Sequence, residues 1–274
     1  MAYEKQNFLD GQIVTADHLN HIEDGIIAAG NPRNLLDNSD FTNPVAQTGG
    51  VNGMHGNHSF VVDRWVNGSN APADIQNDGL VVDGATDVYQ NLERYDVMAG
   101  KMYTIALKTF DGIYCASFVM GSVPNGIRFS DKIYFFSVPG LNVLFRQTGW
   151  NKYVWAALYE GSYTADTLPP YVPKGYAAEL TECRRYYRRN EFLNCAKTSG
   201  NYFSVSASIE MRVVPTAELL TFAPYGLPTI TDMSGCSVTI AQSAAGVQRI
   251  TYANLPTCAA HSAGGLAVNL SADL

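Results

Sequence analysis

Nucleophilic hydrolysis needs a serine, cysteine or threonine beside a histidine base and an orienting acid. This chain has five histidines, His18, His21, His55, His58 and His261, and none adjoins a recognisable nucleophile motif. His18 and His21 stand at i, i+3 on a predicted helix, whereas a helical metal pair favours i, i+4, and no third ligand is visible. His55 and His58 lie in GGVNGMHGNHS, a glycine- and asparagine-rich loop that does not fix their spacing, so they read as surface side chains. A glycosidase needs two carboxylates roughly 5–10 Å apart across a cleft. With 25 acidic residues every pairing is as good as another, and none is singled out. The DNSD run at Asp37–Asp40 and the FDG run at Phe110–Gly112 offer oxygens to a Ca²⁺ ion, but neither is a full calcium loop, so both read as turns. The residues predict no catalytic centre, no metal site and no cofactor.

Recognition without catalysis is the remaining chemistry. Flat aromatic faces stack on the apolar faces of pyranose rings, and neighbouring amides and carboxylates satisfy the hydroxyls. Candidates are aromatics close to turn signals: Tyr114 after Asp111-Gly112, and Trp150, Asn151 and Tyr153 after Thr148-Gly149. The same residue types also suit a core or a subunit interface, and the sequence leaves that alternative open. Trp65 and Trp155 sit inside strand-like runs among apolar neighbours and are assigned to the core.

These side chains need a scaffold, and composition points to a mainly β one. The 274 residues are 46% hydrophobic but only 16% charged, with 24 Gly, 12 Pro and 11% aromatics, which fits many short strands joined by tight turns. A net charge of −7 gives no electrostatic case for nucleic acid or anionic membranes. No stretch approaches 18 uninterrupted apolar residues, and MAYEKQNFLDG lacks the basic and apolar regions of a signal peptide, so folding in a cytosol is expected. Five cysteines, Cys115, Cys183, Cys195, Cys236 and Cys258, are odd in number and lack CxxC spacing, so they read as reduced, mostly buried residues.

Three parts follow along the chain: 1–33, 34–175 and 176–274. In the first, Thr15 caps a predicted helix through ADHLNHIEDGIIAA that Gly30, Asn31 and Pro32 stop. Its apolar edge, Leu19, Ile22 and Ile26, suits self-association or docking, or packing on the neighbouring domain. From Asn34 the pattern turns to β with NLLDNSDF and FVVDRW, and the runs that follow, LVVDG, DVYQNL, MYTIALKTF, IYCASFVM, KIYFFSV, LNVLFRQ and KYVWAALY, predict seven or eight strands in an antiparallel two-sheet sandwich. In MYTIALKTF, Tyr103, Ile105, Leu107 and Thr109 alternate with Met102, Thr104, Ala106 and Lys108, as a half-buried strand requires. YAAELTECRRYYRR, Tyr176 to Arg189, reads as a linking helix of about three and a half turns. Its apolar stripe is Leu180, Cys183 and Tyr187, and Glu179 and Glu182 pair with the cluster Arg184, Arg185, Arg188 and Arg189. From Asn190, the runs YFSVSASIEM, TAELLTFA, CSVTIAQ, VQRITYAN and GLAVNLSADL predict a second, smaller β-sandwich.

Several of these segments resemble a known family. NLLDNSDF, DRW, DVYQNLERYDVMAGKMYTIALKT and VWAALYEGSYTADTLPPYVPKGYAAELTECRRYYRR, in that order, resemble the jelly-roll domain of phage tail-fibre and tail-tip proteins, a fold similar to carbohydrate-binding modules. Gln90, then Gly100-Lys101, then Tyr103-Thr104 is a recurring pattern of such modules, and EL-x-x-C-x-RYY at Glu179 to Tyr187 is the more specific signal. FLDGQIVTADHLNHIEDGI is similar to the attachment leader of fibre and baseplate proteins. The resemblance implies a virion protein, a homotrimer, attached to other tail or baseplate proteins through Phe8, Leu19, Ile22 and Ile26. It also implies recognition of host-surface glycans by the jelly roll, and it admits a structural calcium. Two alternatives remain: a purely structural collar, decoration or head-fibre component, and a glycan-active enzyme or its accessory module.

Overall fold

Glycine, asparagine and aspartate punctuate the chain, and between them the β-branched and aromatic runs pair into antiparallel strands. The computed structural model describes residues 15, 32–47, 59–68, 72–199, 202–208, 216–224, 229, 231–242, 247–253 and 263–271. Its first β unit comprises β1 (Ser59–Val62), β2 (Trp65–Asn67), β3 (Ala73–Gln76), β4 (Gly79–Val82), β5 (Ala85–Gln90), the one-turn helix α1 (Tyr95–Met98), β6 (Met102–Thr109), β7 (Ile113–Val119), β8 (Val123–Arg128), β9 (Ile133–Val138), β10 (Leu141–Thr148) and β11 (Asn151–Glu160). Helix α2 (Tyr176–Cys183) follows, then β12 (Tyr187–Ser199), β13 (Tyr202–Ser208), β14 (Thr216–Pro224), β15 (Ser237–Gln242), β16 (Val247–Ala253) and β17 (Ala263–Ser271). The fold is mainly β, as composition predicts.

The first unit is a sandwich of a six-stranded sheet, in the order β1-β2-β5-β10-β9-β8, and a five-stranded sheet, β3-β4-β11-β6-β7. Two nested pairs of a jelly roll are present, β4 with β11 and β5 with β10. The inner strands instead form the hairpins β6-β7 and β8-β9. Eleven strands replace the seven or eight expected. FVVDRW is not one strand but a hairpin: Arg64 takes φ 72° at the turn, and β1 pairs with β2 from Ser59↔Asn67 to Val62↔Trp65. β3 and β8 escape the apolar pattern because both are edge strands, and β8 carries Pro124 and Gly126, which blunt the edge. Gly126 is required there, since at φ 75° a Cβ would lie 2.7 Å from the Phe136 ring. NLLDNSDF is no regular strand. It hydrogen-bonds along β11 beyond the reach of β4, with Leu35 N donating to Leu158 O at 2.9 Å and Phe41 N to Val154 O at 3.0 Å.

Between the sheets runs an aromatic core. Trp65, fully buried, packs edge-on to Phe41 at 5.2 Å and stacks on Phe145 at 6.3 Å, and Phe145 continues to Phe135 at 5.8 Å. The outer face of the five-stranded sheet is covered too. Residues 161–174 cross it, placing Tyr163, Leu168 and Tyr171 against Ala106, Ala157 and Tyr159. Trp155 belongs to this outer layer rather than the central core: it is half-buried and stacks on Tyr171 at 4.5 Å. The same cover explains why β6 is buried on both faces, Thr104 and Ala106 included, and not half-buried as its alternation predicts.

Helix α2 stops at Cys183, and Arg188 and Arg189 belong to β12, a thirteen-residue strand where a continuing helix was expected. The paired tyrosines favour the extended chain. Glu179 and Cys183 form the buried face of α2, Leu180 is half-buried, and Tyr186 is buried in place of Tyr187. Nor do the glutamates pair with the arginines of their own segment. Glu182 pairs with Arg33 at 2.8 Å, and Arg185 pairs with Glu93 at 2.8 Å. Beyond α2, the described residues form one six-stranded antiparallel sheet, β14-β17-β12-β13-β16-β15, where a second two-sheet sandwich was expected. Its edge strands β14 and β15 approach each other, so the sheet curls.

A buried ionic knot joins these parts. Asp37 lies 3.3 Å from Arg64 Nε and 3.5 Å from Lys174 Nζ. Arg64 also donates to Asn91 O at 2.6 Å, and its guanidinium lies 3.5 Å over the Tyr186 ring. Glu179 accepts the Asn38 N–H at 2.7 Å and lies 4.0 Å from Lys174. Gln90 clamps the same turn, accepting from Asp37 N at 2.9 Å and donating to Asp37 O at 2.8 Å. Trp65 Nε1 completes it, donating to Asp37 O at 3.1 Å and Asn38 O at 3.0 Å.

Burial raises the Glu179 carboxyl above the ordinary glutamate value of 4.5, against the opposing Asn38 N–H and Lys174. A raised acid favours the protonated folded form, so its contribution is full in acid and is lost as pH climbs from about 4.5 through the folded value. Glu179→Gln removes this loss. The melting temperature of the variant relative to wild type is therefore expected to rise between about pH 4 and about pH 7, as read by scanning calorimetry; a flat or falling difference contradicts the assignment. Trp65→Ala is expected to cost about 3–5 kcal/mol in urea unfolding, through cavity formation and the loss of the Trp65 N–H from Asn38 O, while Asp37 O keeps its Gln90 donor.

Candidate functional site

Two turns at one end of the sandwich build the candidate site. In the β6-β7 turn, Thr109 N donates to Gly112 O at 2.8 Å and Asp111 N to Thr109 Oγ1 at 3.2 Å, which lifts Phe110 out of the sheet. Phe110 N donates to Lys152 O at 2.9 Å, so this turn is tied to β11 next to the β10-β11 turn at Gly149-Trp150. The result is a cluster of exposed apolar side chains: Phe110 at 72%, Ile113 at 53% and Trp150 at 48% of full exposure. The Phe110 and Trp150 rings stand 6.4 Å apart at 71°. Polar groups border them. Asn151 Nδ2 donates to Asp111 Oδ2 at 3.3 Å, and Lys152 Nζ donates to both oxygens of Asp78 at 2.7 and 2.8 Å. The hydrogen bond from Lys152 lowers the Asp78 pKa below the usual carboxylate value.

The structure divides the four aromatic and amide candidates. Trp150 is exposed in this cluster. Asn151 is only 2% exposed and acts from behind, through Asp111. Tyr153 is fully buried between the sheets, its hydroxyl bonded to Gln147 Oε1 at 3.0 Å and its pKa driven up by burial, so it meets no ligand. Tyr114 is half-buried and stacks on Phe129 at 6.1 Å, facing the core. The register explains the split: β11 points Asn151 and Tyr153 inward at alternate positions, while Trp150 precedes the strand. Phe110 and Ile113 were not singled out in the sequence. The available signal was a large apolar residue inside a turn, where exposure is costly without a use.

At the other end the chain enters at Pro32-Arg33 and leaves through α2. The remaining exposed large apolar residues among those described, Val97, Met102, Val172 and Tyr176, belong to this end. A cleft of about 230 Å³ lies there, and its charged lining residues other than Arg94 are paired within the protein, Arg33 with Glu182, Arg185 with Glu93, and Lys174 with Asp37. It is a joint between segments. Phe8, Leu19, Ile22, Ile26 and all five histidines lie outside the described residues. Cys183 is buried, Cys115 and Cys236 are half-buried, and burial raises all three thiols. Among the described residues, no three His, Cys, Asp or Glu side chains converge as metal ligands would, and of the calcium candidates Asp37 meets Arg64 and Lys174, Asp40 accepts from Thr42, and Asp111 accepts from Asn151 through one oxygen. No described helix is long and apolar enough to cross a membrane.

Comparisons of this chain with protein families, with curated proteins and with solved structures found no match.

Trp150→Ala and Phe110→Ala are expected to shift unfolding free energy by no more than about 0.5 kcal/mol, as surface changes do. Tyr153→Ala is expected to cost about 3–5 kcal/mol, as a large core truncation does. Urea titrations of the three variants check the division between exposed and buried candidates.

Proposed function

We propose that this chain is a phage tail-fibre or baseplate-associated virion protein, a homotrimer, which attaches at the end where Arg33 enters and recognises host-surface glycan at the end bearing Phe110 and Trp150. The observation that carries this reading is the polarity of the sandwich. β11 runs from Asn151 beside the aromatic cluster to Leu158, which binds Leu35 next to the entering chain. At about 3.3 Å per residue the two ends are about 23 Å apart. Exposed apolar groups gather at both poles, one fit for protein contact where the chain enters at Pro32-Arg33 and one bordered by Asp111 and Asn151, as a sugar requires. The sequence resemblance supplies the biological setting, and no catalysis forms part of the reading.

Sedimentation of the whole chain is expected to give a species of about three times the 29.8 kDa monomer, and a monomer at high concentration contradicts the fibre assignment. Wild-type protein is expected to bind a host-wall preparation or a glycan array, and Trp150→Ala to lose at least about tenfold in affinity. Absence of binding to every wall preparation overturns the receptor role.

A further inference from the structure

The rings of Phe110 and Trp150 meet at 71°, with centroids 6.4 Å apart. Two rings so inclined cannot both lie flat beneath an extended polysaccharide ribbon. They form a corner, in which one ring can stack on a pyranose face while the other closes on its edge, and Ile113, at the start of β7 just after the same turn, is exposed as well. The polar side of the corner is built from behind. Asn151, nine-tenths buried and more, bonds Lys152 N through Oδ1 at 2.7 Å and holds Asp111 Oδ2 through Nδ2 at 3.3 Å. Asp111 itself is exposed, and its second oxygen has no hydrogen-bond partner in the structure. A carboxylate accepts only, so it suits sugar hydroxyls and repels anions. Of the nearby cations, Lys152 gives two of its three ammonium hydrogens to Asp78, Lys132 runs its stem beside Gly149, 3.5 Å from where a Cβ would stand, and Lys108 sits across the hairpin from Ile113.

Resting on the reading of this edge as a glycan site, we infer that the corner takes a single uncharged hexopyranose at a chain end or branch, stacked on Trp150 or Phe110 with hydroxyls donated to Asp111. Asp111 is thereby a binding residue, and Asn151 a positioning residue. A ligand of about a dozen heavy atoms on an open surface binds in the roughly millimolar range.

The test uses the full chain and titrates its tryptophan fluorescence, with calorimetry alongside as the readout shared by all variants, against methyl glycosides of glucose, galactose, mannose and N-acetylglucosamine, against methyl glucuronide and against insoluble cellulose. Saturable binding of at least one neutral glycoside is expected, weakened about tenfold in Trp150→Ala and in Phe110→Ala by loss of stacking. Asp111→Asn is expected to weaken it similarly, because a charge-assisted hydrogen bond becomes a neutral one. Glucuronide bound as tightly as the neutral glycosides, through Lys132, overturns the inference. So does binding of cellulose alone, and in either case glycan recognition at this edge stands. No saturable binding of any carbohydrate, with host-wall binding unchanged in Trp150→Ala, overturns the inference and the glycan reading together. The exposure of Phe110 makes its variant a second readout should the Trp150 variant fold poorly.

Discussion

Four charged side chains with little or no access to water, Asp37, Arg64, Lys174 and Glu179, meet where the entering segment, the β1-β2 hairpin, residues 161–174 and α2 come together. Taking such ions out of water costs several kcal/mol each, so the arrangement persists only because every charge has an opposite neighbour and further hydrogen bonds. Lys174 also donates to Leu36 O at 2.9 Å, and Arg64 is held between Asn91 O and the Tyr186 ring. The knot does not supply the bulk of the stability; the aromatic core does that. It fixes geometry. A slip of α2 by one residue would carry Glu179 away from the Asn38 N–H and leave that carboxylate buried without its donor, which gives the linking helix one position on the sandwich.

That fixed position gives the domain two different ends. The chain enters and leaves at the pole of the knot, where Arg33-Glu182 and Arg185-Glu93 clamp it from outside. The opposite pole carries tight turns, β6-β7 and β10-β11 with β4-β5 and β8-β9 beside them, and there Phe110 and Trp150 pack on each other with much of their surface open to solvent. Rigid strands between the poles hold the turns in place: the Phe110 N–H bonds β11 directly, and Asn151 anchors Asp111 from beneath. A binding edge on such a frame is preorganised, which reduces the ordering entropy lost on contact.

Much of the first unit was legible in the sequence, because turn residues and period-two runs report local geometry. The strands β4 to β7 and β9 to β11 all fall on such runs. Failures occur where distant chain decides the outcome. The alternation in β6 gave no sign that residues 161–174 would cover its second face, and nothing local marks Trp155 as belonging to that outer layer. The segment around Arg184 has ordinary helical content, yet Tyr186 is drawn under Arg64 and β17 offers Tyr187 a partner in Ser271, so the chain leaves the helix early. Among the site candidates, Trp150 was visible through its turn signal. The inward side chains of Asn151 and Tyr153 depended on where β11 starts, and the boundary of a strand is its least readable property.

Polarity is the central claim, and hydroxyl-radical footprinting of the protein, free and bound to host-wall material, measures it residue by residue. The account predicts that binding protects Phe110, Ile113 and Trp150 while leaving Val97, Met102, Val172 and Tyr176 as reactive as in the free protein. Protection of the second set, with Phe110 and Trp150 unchanged, would contradict it.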